Sequence, residues 1–439
     1  MKANKQTSPW RWIPTLYIAE GLPYFAVNTL TVLMYVRLGI GLKEMAFYTG
    51  WLYLPWVIKP FWSPFVDLIK TKRWWTVTMQ WLIGICMASV AFLLPTSLFF
   101  AGTLAAFWLM AFFSATHDIA ADGYYMIELD SHEQAAYVGL RSTFYRIASV
   151  MGQGGLVMLA GYLEEKTGDI STAWTATFAI LSAFFLAVAF YHSFFLPRPE
   201  GDKPKAGVTA HTILRDFGTT FVTFFQKRYI WSALAFMLLY RLPEALCLKL
   251  VQPFMVTPRA GGGLALTTAE VGFVNGTIGV VALLAGGIVG GLAISRGGLK
   301  RWLWPMALSL TQPCAFYCVL AMVQPESFFW ISAAIFVEQF GYGFGFSAYM
   351  LYLIYFSRGE SKTSHYAFCT AFMALGMMIP GMAAGWLHEV CSAHSIFGVD
   401  SPQGFINFFW IVMAACVATL IVCAKVRIDP RFGKKETGA

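Results

Sequence analysis

Glu20, Lys59, Asp118, Arg141, Arg146, Arg241, Glu244 and Glu338 are ionisable side chains set inside long apolar stretches. In bilayer hydrocarbon each such charge costs about 3 kcal/mol on insertion scales. A chain that keeps several must hold them in a protein-lined or watery interior, and a translocation path is the simplest interior of that kind. The chemistry open to them is solute binding, proton transfer, or ion pairing that holds one conformation.

Glu20 stands just before Gly21, Leu22 and Pro23. Proline removes a backbone donor and loosens the helix, which exposes carbonyls to a ligand or neighbour. Two readings stay open for Glu20: a protonatable carboxylate or substrate contact, or a structural ion pair with Lys59. Asp118 and Asp122 are four residues apart and share one helix face, so their charges repel unless cations compensate. Arg141 and Arg146 stand on the same side of the membrane, and the expected arrangement is a gate network of salt bridges, with a proton relay through Asp118 and Asp122 as the alternative. His117, beside Asp118, is expected to be a hydrogen-bonded packing residue, with a proton role as the alternative.

Arg241 and Glu244 are three apart and can pair on one face, with Lys249 following. Alternatively the planar fork of Arg241 grips an anionic substrate group. Glu338, mid-stretch, needs a partner or a proton, and Gln339 follows it. Gly341, Gly343 and Gly345 alternate with Tyr342 and Phe344. Helix packing is the expectation for the glycines, while the aromatics could line a ring or sugar site. The spacing of Gly286, Gly287, Gly290 and Gly291 is also a packing signal, as is that of Gly152, Gly154 and Gly155. No P-loop, metal-ligand or nucleophile–base constellation is present, so neither ATP-driven transport nor enzyme chemistry is expected.

The elements that carry these residues follow from composition. The chain has 439 residues, is 58% hydrophobic and 12% charged, and has a mean hydropathy of +0.60. Soluble domains are about 45–50% apolar and about 25% charged. Polar breaks delimit about twelve spans: 12–36, 45–69, 74–94, 98–121, 137–162, 172–196, 229–256, 269–294, 302–323, 328–356, 364–390 and 403–424. Helices are required, because barrel strands would be short and alternate in polarity. The longest polar stretch, with Pro197, Pro199, Gly201 and Pro204, separates six spans from six. The expected organisation is a bundle over 1–196, a cytoplasmic loop over 197–228, and a second bundle with its tail over 229–439.

With the N-terminus cytoplasmic, roughly 22 Lys and Arg fall in cytoplasmic segments. Only Arg37, Lys43, Lys166 and Arg259 fall outside. Both termini are therefore expected in the cytoplasm. The net charge of +8 lies in short loops and does not call for nucleic acid. The cysteines read as small hydrophobes, with no disulfide or zinc spacing. Lys2, Lys5 and Arg11 precede a long apolar run without a small-residue cleavage site, so no cleaved signal peptide is expected.

The halves look like repeats. Span 2 runs into Asp67, Lys70, Lys72, Arg73, Trp74 and Trp75, and span 8 runs into Arg296, Lys300, Arg301 and Trp302. Span 1 carries Gly21-Leu22-Pro23-Tyr24 and span 7 carries Arg241-Leu242-Pro243-Glu244. The fold class expected is an all-α integral membrane protein with two pseudo-symmetric six-helix bundles, as in the major facilitator superfamily.

Several motifs resemble the AmpG-type muropeptide permeases, related to acetyl-CoA transporters within that superfamily. The carriers are Glu20-Gly21-Leu22-Pro23 and Lys59-Pro60-Phe61-Trp62-Ser63-Pro64-Phe65-Val66-Asp67. His117-Asp118-Ile119-Ala120-Ala121-Asp122 is similar to the family's Gln-Asp-Ile-x-x-Asp, and Tyr240-Arg241-Leu242-Pro243-Glu244 to its Tyr-Lys-Leu-Gly-Asp. Ala269-Glu270-Val271-Gly272-Phe273-Val274-Asn275 matches Ala-Glu-Val-Gly-x-x-Asn, and Phe336-Val337-Glu338-Gln339 matches Phe-x-Glu-Asn. Departures fall at His117, Pro243, Glu244 and Gln339, where substrate or proton could be handled.

The resemblance implies a monomeric importer of peptidoglycan turnover products, N-acetylglucosaminyl-anhydro-N-acetylmuramic acid with or without peptide. It implies a bacterial inner membrane, no cofactor, and the proton gradient as energy source. Asp118 to Gly123 is shared with the acetyl-CoA branch, which keeps a carrier of acetyl-CoA or another acidic metabolite as the alternative. A sensor on the same scaffold is the alternative of another class, and neither the central loop nor the tail is large enough for a signalling domain. On this reading Glu20, Lys59, Arg241, Glu244, Glu338 and Gln339 serve substrate or proton. Asp67, His117, Asp118, Asp122, Arg141 and Arg146 form the gate or ion-pair network.

Overall fold

A computed structural model of the protein describes residues 8–129, 131–203, 210–359, 362–394, 404–430 and 432. Helices are the only regular elements among the described residues. Seven of them, counted through their π and 3-10 segments, are long and apolar enough on length and composition to cross a membrane. The other spans are assembled from shorter helical pieces, and the breaks have local causes.

The first span is α1 (Ile13–Phe25), a π segment (Ala26–Leu30) and α2 (Thr31–Arg37). Pro23 lies inside α1, three residues before the π segment. Side chains satisfy the loosened backbone there: Asn28 donates to the Tyr24 carbonyl at 3.0 Å and Thr31 to Ala26 at 2.7 Å. The second span is α3 (Leu42–Trp51) with α4 (Leu54–Leu68), and the third and fourth are α5 (Lys72–Leu93) and α6 (Phe99–Glu128). α7 (Ser131–Ser149), a π segment (Val150–Leu156) and α8 (Val157–Thr167) make the fifth, and α9 (Ile170–Phe195) the sixth.

Part of the stretch expected as a central loop is helical, namely α10 (Ala210–Phe225). The seventh span breaks between α11 (Ile230–Leu239) and α12 (Leu242–Val256). The eighth joins α13 (Thr268–Gly272), a π segment (Phe273–Gly279) and α14 (Val280–Gly297). The ninth joins α15 (Leu299–Thr311) to α16 (Ala315–Val323) through a 3-10 turn. Last come α17 (Phe328–Phe356), α18 (Lys362–Ala393) and α19 (Gly404–Lys425). These pieces reproduce the expected spans to within a few residues, except that α6 runs seven residues past its expected end at 121 and the fifth span starts six residues before 137 and ends five after 162. Among the described residues the fold is the expected all-α arrangement of twelve helical spans.

Side-chain exposure fits a bilayer rather than water. Phe92 is 76% exposed, Trp231 77% and Ile288 66%, which water would penalise and lipid accepts. All eight cysteines are buried and unpaired, as small hydrophobes would be.

Two compact units emerge: Met1–Met34 with Ile58–Ile213, and Tyr35–Val57 with Leu214–Ala439. The first has an aromatic core around Trp12, Tyr17, Tyr124 and Tyr125. Its α1 lies close to α7, because a side chain at Gly21 would meet Ala148 at 2.7 Å. In the second, α17 presents Gly343 to the Leu283 carbonyl of α14, and Gly341 and Gly345 to the Ser309 and Met306 carbonyls of α15. Gly286 of α14 faces Phe340 in the same way, so these glycines serve close helix packing as expected.

Candidate functional site

In the first unit four helices bring the predicted charges together. Lys59 of α4 pairs with Asp118 of α6 at 3.6 Å, and Arg141 of α7 pairs with Asp122 of α6 at 2.5 Å. The one-turn spacing on α6 therefore gives each aspartate its own cation, which removes the repulsion expected between them. The Arg141 guanidinium also lies over the Tyr17 ring at 4.8 Å. Trp62 of α4 donates to Thr116 of α6 at 3.2 Å, which fixes Lys59 beside Asp118.

Glu20 is only 7% exposed, and its Oε2 accepts no hydrogen bond from the described residues. An ion pair between Glu20 and Lys59 is not formed, because the lysine reaches across to α6 instead. Glu20 still lies within electrostatic reach of Asp122, Asp118, Arg141 and Lys59. The hydroxyl of Tyr17, one helical turn away, is likewise buried without a hydrogen bond. Arg146 is exposed and forms no ion pair with the described residues. The Asp67 side chain lies outside the described residues.

His117 is fully buried in a polar chain that crosses the unit. Gln80 of α5 donates to His117 Nε2 at 2.9 Å and accepts from His192 Nδ1 of α9 at 2.9 Å. Thr15 of α1 is 2.8 Å from His192 Nε2. His117 is thus a hydrogen-bonded packing residue. Gln80 and His192 were not legible as its partners, since they are 37 and 75 residues away along the chain.

In the second unit the break of span 7 positions Arg241, the residue that caps α12. Pro243 opens the helix where its missing N–H costs nothing. Arg241 donates to Glu244 through Nε at 2.8 Å and Nη2 at 2.6 Å, a two-point grip one turn apart. Its Nη2 also reaches the Tyr342 hydroxyl at 2.9 Å, and Phe346 lies 4.8 Å from the guanidinium. The aromatics of α17 therefore enclose an arginine in this structure. Glu338 accepts from Tyr317 at 3.0 Å and from Gln339 at 2.8 Å through the same oxygen, Oε2.

A cavity of about 970 Å³ opens in the second unit beside Lys43, Phe47, Tyr48, Trp386 and Glu389. None of the predicted site residues lines it. Lys43 and Glu389 bridge it as a half-exposed ion pair at 2.8 Å.

The predicted residues form three carboxylate–cation pairs, with a Glu20 oxygen and the Lys249 amine unpaired among the described residues, an arrangement compatible with a solute carrier. Comparison with known proteins agrees. The BT1 family model matches residues 18–353. The anhydromuropeptide permease of Escherichia coli strain K12 is 27% identical over 419 residues, covering 93% of this chain and 77% of its own. The putative transporter AmpG 4 of Rickettsia conorii is 25% identical over 377 residues, covering 82% of this chain and 85% of its own. Among solved structures, a mutant of the nucleoside transporter NupG superposes with a TM-score of 0.68 at 13% identity, over 95% of this chain and 99% of its own. The D-xylose-proton symporter does so at 0.68 and 14%, over 94% and 96%. The chain is a multi-pass membrane transporter of small molecules, not an enzyme, with the major facilitator fold, and it belongs to the BT1 family.

Proposed function

We propose that the protein imports anhydromuropeptides across a bacterial inner membrane by proton symport and alternating access. It works as a monomer with both termini in the cytoplasm, and it needs no cofactor beyond the proton gradient. The observation that carries the coupling is Glu20: a buried carboxylate with a free oxygen, beside two aspartates that each already hold a cation. Such a group can gain or lose a proton without breaking a pair. The substrate class rests on the likeness to the Escherichia coli permease.

A coenzyme A carrier would need several cations free for phosphates. Lys59, Arg141 and Arg241 are each matched by a carboxylate, which favours a solute of lower charge. The test is uptake of radiolabelled anhydromuropeptide into proteoliposomes. Uptake that rises with an inward proton gradient and collapses with a protonophore is expected. Folded protein that takes up none of it sinks the substrate assignment.

A further inference from the structure

Lys249 of α12 is 2% exposed, and no carboxylate of the described residues lies within ion-pair distance of it. Its Nζ makes one hydrogen bond, to the Thr49 hydroxyl of α3 at 3.1 Å. Thr49 donates its own proton to the Met45 carbonyl at 2.7 Å, so it turns a lone pair toward the amine. The Tyr53 ring stands 5.3 Å from Nζ. A lysine ammonium carries three donors, and two of these find no acceptor among the described residues.

The neighbouring acids of this unit are occupied. Glu244 holds Arg241, Glu338 accepts from Tyr317 and Gln339, and Glu389 holds Lys43. The surroundings nonetheless make room for the lysine. Gly381 of α18 leaves space for its stem, since a side chain there would meet Lys249 Cγ at 3.3 Å and Cε at 3.6 Å. Tyr53, Ala245, Met377 and Met378 form an adjoining apolar cluster, with Met382 packed on it. Methionines adapt to irregular surfaces, so the cluster can repack around a bound solute.

We infer that Lys249 is the residue that recognises the carboxylate of the transported solute. The inference rests on the transport reading above and moves anion recognition from Arg241 to Lys249. An isolated buried cation is destabilising unless an anion meets it. One ammonium balances one negative charge, which suits a monocarboxylate with an apolar or sugar body. A phosphomonoester or pyrophosphate would need further cations. Arg241 cannot fill this role without surrendering Glu244.

The experiment measures binding to the purified full-length protein in detergent by calorimetry. The probes are N-acetylglucosaminyl-1,6-anhydro-N-acetylmuramic acid and its methyl ester, and the proteins are wild type, Lys249→Met and Lys249→Arg. Methionine is one atom shorter than lysine, keeps an unbranched apolar stem and removes the charge. Gel filtration and thermal melting check that it folds, and without ligand it is expected to melt above wild type. Wild type should prefer the acid about tenfold or more, the ratio expected from losing a charge-assisted hydrogen bond. Lys249→Met should lose that preference and Lys249→Arg should regain part of it. A preference that survives in Lys249→Met, or equal binding of acid and ester by wild type, overturns the inference. If wild type binds neither, the muropeptide reading has failed, and uronic and hydroxy acids against their amides decide the lysine by thermal melting. Acid-selective stabilisation lost in Lys249→Met then upholds it, and no such selectivity in wild type overturns it.

Discussion

In the first unit the pairs Lys59–Asp118 and Arg141–Asp122 are open to their surroundings, with side chains 33% and 17%, then 31% and 36% exposed. In the second, Arg241 and Glu244 are only 10% and 12% exposed, and Tyr342 and Phe346 close around them. The open pairs link different helices, α4 to α6 and α7 to α6, whereas the closed pair lies within one turn of α12. An open inter-helix pair is weak and easily exchanged. A closed pair is costly to disturb from either side. The contrast would suit movement for the first set and scaffolding for the second. What each unit leaves over is also opposite: a carboxylate oxygen at Glu20, an amine at Lys249.

The sharpest break of this contrast is Glu244→Gln. It strands a buried guanidinium and is expected to cost about 3–5 kcal/mol of stability. Equilibrium denaturation in detergent measures it. The double variant Arg241→Met with Glu244→Leu should lie close to wild type, because it removes both charges together. If Glu244→Gln costs no more than the corresponding change at Asp122, the two units do not differ in the way described.

Gln80→Leu ranks next. It orphans His117 and His192 inside the first unit, at about 1–3 kcal/mol for each group left unsatisfied. The expected loss of about 2–4 kcal/mol would show that this unit also contains a closed element, behind its open pairs. Little change in melting temperature would mean that the polar chain adds nothing to stability.

The spans, their charges and the helix-packing role of the glycines were legible because hydropathy and small-residue spacing are properties of one segment at a time. Partner choice was not. Whether Lys59 reaches Glu20 or Asp118 depends on how α1, α4 and α6 are rotated about their axes, and no residue in those helices encodes that alone. Arg241 and Glu244 were readable as a pair because three residues on one helix fix their geometry. The π segments in spans 1, 5 and 8 were equally hidden, since Ala26–Leu30, Val150–Leu156 and Phe273–Gly279 carry no charge and only a few polar residues, Asn28, Thr29, Gln153, Asn275 and Thr277. The proline at 23 and the glycines at 152, 154, 155, 276 and 279 were local hints of irregularity there.

The carboxylates of Glu20 and Glu338 give a third comparison. Glu20→Gln should lower gradient-driven uptake about tenfold or more while leaving solute exchange without a gradient close to wild type, a loss of about 1.4 kcal/mol or more in coupling. Glu338 already accepts from Tyr317 and Gln339, so Glu338→Gln should change the gradient dependence less than Glu20→Gln does. Equal loss of coupling in both variants would remove the distinction between the units. Loss of exchange along with gradient-driven uptake in Glu20→Gln would point to binding rather than coupling.

The smallest effect belongs to Asp122→Asn. Its pair with Arg141 is about one third exposed, so the stability lost should be about 1 kcal/mol or less. That loss should shrink as salt is raised, because exposed charges are screened and enclosed ones are not. Glu244→Gln should show no comparable salt dependence. The variant also leaves Arg141 facing Glu20, with the Tyr17 ring still beneath the guanidinium. If the arginine then turns to Glu20, the free oxygen is taken up and gradient-driven uptake falls, although the fold is nearly as stable as before. A transport defect larger than the stability defect would therefore show that Asp122 keeps Arg141 away from the coupling carboxylate. A stability loss as large as that of Glu244→Gln would show instead that the open pair belongs to the scaffold.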